Sequence, residues 1–140
     1  MRLVLDTDVI VAALRSPSGA SAALLRAIRQ NRATMLLSTA LLLEYEAVCL
    51  RAEHQLAAGL SAAEIRLFLD GLAFLAEPVA VHFQWRPQLR DAGDEMVLEA
   101  AVNGQAQAIV AFNQRDYGSA PARFGIALWV PREAYRKGEG

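Results

Sequence analysis

Four acidic residues stand where they could hold a metal ion between them: Asp6, Glu44, Asp94 and Asp116. Asp6 ends the apolar run Leu3-Val4-Leu5, Asp94 falls near the start of a helical stretch, and Asp116 follows the apolar run Ala108–Phe112 by four residues. Glu44 sits in the second turn of a helix, where side chains lean back toward the N-terminus. Carboxylates brought together repel one another and need a counter-charge. Hard oxygen donors suit Mg²⁺ or Mn²⁺. An ion held there lowers the pKa of bound water and steadies the charge that builds on a phosphodiester, so the chemistry indicated is hydrolysis. Each acid also has a plainer explanation. Asp94 could be a helix N-cap, and Asp116 could be a turn residue or could pair with Arg115. Glu46, two residues beyond Glu44, reads as solvated. The acids gain meaning as a set.

The elements that would position them follow from the pattern of apolar residues. Short apolar runs at Arg2–Leu5, Ala33–Ser38, Val79–Phe83, Gln107–Phe112 and Ile126–Val130 predict five strands. Helical spacing predicts helices over Val9–Leu14, Ser21–Gln30, Ala40–Arg51, about Ser61 to Ala76, and from Asp94 to near Gly104. Ser61-Ala62-Ala63-Glu64 is a capping box, and Pro78 is expected to end the helix that it opens. Arg86–Gly93 reads as a polar loop. Strands alternating with helices predict an α/β fold whose mostly parallel sheet is covered on both faces, with the site beyond the carboxyl ends of the strands.

Composition narrows the alternatives. The 140 residues suit one domain, 54% of them are apolar, and no uninterrupted apolar run approaches a spanning helix. No membrane partner is expected. An acid after three apolar residues argues against a secretory leader and for a cytoplasmic protein. The lone Cys49 gives neither a disulfide nor a zinc site. Net charge is −1, yet thirteen of the fourteen basic residues are arginine; arginine forks onto phosphate, although a GC-rich genome gives the same bias. Residues 1–136 are expected to form the domain and residues 137–140 a short flexible tail. His54 and His82 are assigned no role. Trp85 reads as a core or dimer contact more than a base-stacking group, and Trp129 as core.

Four blocks of the chain resemble the PIN-domain ribonucleases, and within them the VapC-like toxins of bacterial toxin–antitoxin pairs. These are Leu3-Val4-Leu5-Asp6-Thr7-Asp8-Val9, Ser38 to Val48 with Leu43-Glu44-Tyr45, Arg90 to Ala101 with Asp94, and Ala108 to Tyr117 with Asp116. The resemblance implies a three-layer α/β/α sandwich with a five-stranded sheet and Mg²⁺ or Mn²⁺ held by Asp6, Glu44, Asp94 and Asp116. It further implies cleavage of single-stranded RNA, a cognate antitoxin and a homodimer. Thr7, Ser38, Asp91 and Asn113 are candidates to orient the ligands, and Arg115 to contact the RNA. The chain departs from the family in having Ala111 where threonine is frequent, Asn113 where aspartate is, and Asp8 in place of asparagine.

Three other readings compete. Asp6-Thr7-Asp8 approaches the Asp-x-Asp motif of haloacid-dehalogenase-like phosphatases, but that chemistry needs a lysine. The only one is Lys137 near the C-terminus, and receiver domains fail on the same point. A catalytically weak or inactive RNA- or protein-binding module on the same fold is the remaining alternative. In it Arg26, Arg29, Arg32, Arg90 and Arg115 would track phosphates.

Overall fold

The computed structural model describes residues 1–82 and 89–139. The chain opens with β1 (Arg2–Leu5), then α1 (Thr7–Arg15) and α2 (Ala20–Arg29), and returns through β2 (Thr34–Leu37). Three helices follow, α3 (Thr39–Cys49), α4 (Ala52–Ala58) and α5 (Ala62–Leu75), before β3 (Glu77–Pro78). Next come α6 (Ala92–Asn103), β4 (Ala108–Val110), a 3₁₀ turn (Arg115–Tyr117), α7 (Ala120–Arg123), β5 (Ala127–Trp129) and α8 (Pro131–Glu139). All strand pairings are parallel, in the order β3-β2-β1-β4-β5. With helices covering the sheet, the result is a three-layer α/β/α sandwich.

Parallel strands buried on both faces must be apolar throughout. Accordingly Leu3, Val4 and Leu5 of β1 and Ala108, Ile109 and Val110 of β4 are fully buried. β1 is the middle strand. From it the chain winds outward through β2 to β3, and from β4 it winds the other way to β5. The crevice between the carboxyl ends of β1 and β4 is therefore the place where strand order reverses, and open α/β sheets bind ligands there.

Some elements differ from expectation. The third strand is not Val79–Phe83 but Glu77–Pro78, with Leu36 opposite Glu77 and Leu37 opposite Pro78. Pro78, lacking an N–H, is tolerated because β3 is an edge strand. Glu77 is held there by a forked pair of bonds from Arg2 at 3.0 and 2.7 Å. Val79 lies beyond the strand, its N–H donating to the Leu37 carbonyl at 3.0 Å. Phe83, Trp85 and Arg86 lie outside the described residues. His54, expected in a connection, belongs to α4, which Gly59 closes at φ 68°. Residues 137–139, expected as a tail, form the last turn of α8, where the Lys137 ammonium lies 4.9 Å from the centre of the Trp129 ring. Among the described residues no helix is long and apolar enough to cross a membrane.

Candidate functional site

Two acids leave the end of β1. Asp6 caps α1: its Oδ1 accepts the N–H of Asp8 at 3.0 Å and its Oδ2 accepts the hydroxyl of Tyr117 at 2.5 Å. It is only 8% exposed. Asp8, one turn position further, reaches across to the segment that leaves β4. Its carboxylate accepts the N–H groups of Phe112 at 3.2 Å and Asn113 at 3.1 Å. Burial, reinforced by the charge of Asp6, nonetheless pushes the Asp8 carboxyl up to about 6. Tyr45 anchors α3 here by donating its buried hydroxyl to the carbonyl of Leu5.

Asp94 enters from α6. The helix begins at Ala92, so the cap is Asp91, whose Oδ1 accepts the Asp94 N–H at 3.1 Å. Asp94 is thus freed from the capping role that its position suggested. Its carboxyl is pushed up to about 7, first by burial and then by the negative charges of Asp6, Asp91, Asp116 and Asp8. Each of these acids lies close enough to be felt by the same group. Asp116, in the 3₁₀ turn, is exposed and accepts the side-chain amide of Asn113 at 2.8 Å. The pairing of Asp116 with Arg115 that their adjacency suggested is not formed.

Glu44 stands at the margin. Its carboxylate comes up beside Gly93, where an added Cβ would lie 3.1 Å from Glu44 Oε1 and 3.0 Å from Asp91 Oδ1. Glu44 is not among the charges that raise Asp94. Thr7 shares a cavity with Asp8, Glu44 and Asp91. Ser38 caps α3 through a bond from the Leu41 N–H at 3.2 Å. Arg115 lines the cleft with Asp116 and Tyr117. Arg26 and Arg29 line a separate apolar groove between α2 and α5, and Arg26 donates to the Pro17 carbonyl at 3.1 Å. Arg32 bonds to Gln30 at 2.7 Å. Sequence reasoning missed Tyr117 and the structural use of Asp8. The one signal was the second acid, two positions after Asp6.

Among the described residues none of these acids is paired with a cation; the ion pairs found are Arg2 with Glu77 and His54 with Glu53. Nor, among those residues, do three His, Cys, Asp or Glu side chains converge closely enough to hold one ion as they stand. The acids share an electrostatic field rather than a coordination shell. Their donor chemistry still fits a hard divalent cation: oxygens only, mutually repelling, with burial first and then one another's charge holding the protons of Asp8 and Asp94 more tightly than usual.

The acids thus gather at the strand-order reversal of a parallel α/β sandwich, the place where open sheets of this kind bind ligands. A family model described as PIN domain matches residues 2–115, and the chain belongs to that family. PIN domains are generally nucleases and generally use divalent metals. Asp116 and Tyr117 lie just past the matched segment. Comparison with curated proteins and with solved structures gave no match.

Proposed function

We propose that the protein is a metal-dependent endoribonuclease that hydrolyses phosphodiester bonds of single-stranded RNA. The observation that carries this reading is the gathering of acids from the end of β1, the start of α6 and the 3₁₀ turn at the strand-order reversal, where burial first, and then the charges of Asp6, Asp91, Asp116 and Asp8, push the Asp94 carboxyl up to about 7. Asp6, Glu44, Asp94 and Asp116 would hold Mg²⁺ or Mn²⁺. When bound, such an ion supplies charge neutralisation and a more acidic water. The chain's own residues fix the geometry. Tyr117 clamps one oxygen of Asp6, Asp91 sets the start of the helix that carries Asp94, and Asn113 restrains Asp116. Thr7 and Ser38 would orient neighbouring groups, and Arg115 would contact the scissile strand. The cellular role that goes with this reading is the toxin of a cytoplasmic toxin–antitoxin pair, bound by a cognate antitoxin and acting as a homodimer. The exposed Leu67 and Phe74 of α5 support a pairing face.

The test is cleavage of a labelled single-stranded RNA with Mg²⁺ or Mn²⁺, beside EDTA and an Asp6→Asn variant. Asparagine preserves the helix cap, so the variant should fold. Cutting abolished by both controls is the expected result. No cutting by folded protein, together with no metal binding, would overturn the reading in favour of a binding module.

A further inference from the structure

Two cavities open at the acidic edge of the sheet, and Asp91 lines both. One, of about 580 Å³, holds Arg90, Arg115 and Arg123 together with Asp91 and Asp116. The other, of about 620 Å³, holds Arg15, Arg51 and His54 together with Asp8, Glu44 and Asp91. Both volumes lie within the roughly 300–1,000 Å³ of small-ligand sites. Acids and arginines thus line both cavities, which meet at Asp91.

Arg15 and Arg51 are exposed, and neither guanidinium has a hydrogen-bond or ion-pair partner among the described residues, although Asp8 and Glu44 line the same cavity. Arg15 is in the last turn of α1, and Arg51 directly follows the C-terminal cap of α3, so helix ends favour a cation at both positions. Beside them the Nδ1 of His54 is buried without a hydrogen-bond partner. That nitrogen has no surface for a ligand to reach, so what the cavity offers an anion with several oxygens is the two forked cations, Arg15 and Arg51.

We propose that Arg15 and Arg51 form a subsite for a backbone phosphate of the single-stranded nucleic acid, in the cavity that shares Asp91 with the one lined by Arg115. The strand would then cross the acidic edge with a phosphate gripped in each cavity. A chain with net charge −1 would thereby hold a polyanion through local charge alone. The proposal rests on the nuclease reading for the identity of the ligand.

The test is fluorescence anisotropy of a labelled single-stranded RNA, titrated at several salt concentrations and fixed magnesium. It uses the Asp6→Asn protein, so that binding is read without cutting. Adding Arg15→Ala or Arg51→Ala should weaken binding about three- to tenfold each and flatten the slope of log affinity against log salt by about 0.7 per arginine. Arg51→Lys, which keeps the charge and loses the fork, should fall between. Arg66→Ala, on α5 and lining neither cavity, should change nothing. An Arg15→Ala/Arg51→Ala double variant with unchanged affinity and slope would overturn the subsite, as would failure of the parent to bind RNA at all. The two readings separate cleanly: wild-type cutting with arginine-independent binding removes the subsite alone, and arginine-dependent binding without any cutting removes the nuclease alone.

Discussion

A carboxyl that titrates near 7 in the fold and at 3.8 ordinarily ties the stability of this protein to pH. The folded chain holds the Asp94 proton more tightly than the unfolded chain, so this contribution is fully present below about pH 4. It is lost as pH rises through the folded value. Asp8, raised to about 6, acts in the same direction. Asp94→Asn should therefore raise Tm at about pH 8 and leave it unchanged at about pH 4. Discounted for the solvent that reaches this half-buried group, the gain is about 1 kcal/mol, or ~2–4 °C. Equal Tm values at both pH values would remove the crowding argument. Tyr117 carries the opposite expectation. Its buried hydroxyl satisfies Asp6 Oδ2, so Tyr117→Phe should lower stability by about 1–2 kcal/mol, read as a reduced urea midpoint with unchanged slope.

The helices are set by local signals, and those signals divide the labour among the acids. Asp91 caps α6 and Asp94 stands in its first turn. Asp91→Ala should cost about 1 kcal/mol, while Asp91→Asn, which retains the cap, should cost only a few tenths. Equal losses in chemical denaturation would mean that the charge of Asp91 matters rather than its capping oxygen. The capping box of α5 forms as the sequence indicates, with Ser61 Oγ accepting the Glu64 N–H at 3.1 Å and Glu64 accepting the Ser61 N–H at 3.0 Å. Elements without such signals were not legible. α8 buries only Pro131 and Ala134, so it has no apolar stripe to announce it, and its helix is stabilised by packing against α2. β3 has two residues, both exposed, and pairs with β2, some forty residues earlier in the chain, so nothing local announces it.

Assembly of the sheet converts scattered acids into one field, and that field predicts how the whole protein responds to cations. A divalent ion that binds only the folded state at a hundred times its Kd should stabilise it by about 2.7 kcal/mol. Mn²⁺ or Mg²⁺ should thus raise the wild-type Tm by several degrees. Asp6→Asn and Asp94→Asn should lose most of that gain. A Tm indifferent to both ions in the wild type would leave the acids without their counter-charge and the nuclease reading without its cofactor.

The amino-acid order alone determined the alternation of strands and helices, the parallel α/β sandwich, and the delivery of Asp6 to a strand end. These follow from periodicity and from short-range chemistry, which act between neighbours in the chain. Tertiary structure decided which groups the acids meet. Asp8 accepts from amides 104 and 105 residues away, and Asp6 from a hydroxyl 111 residues away. Only the packing of β1 against β4, fixed by the register of Leu5 with Val110, brings those partners within hydrogen-bonding distance. The same packing placed Asp94 among its like charges and left Glu44 at the margin, because a carboxylate's neighbours depend on the whole fold rather than on the residues beside it.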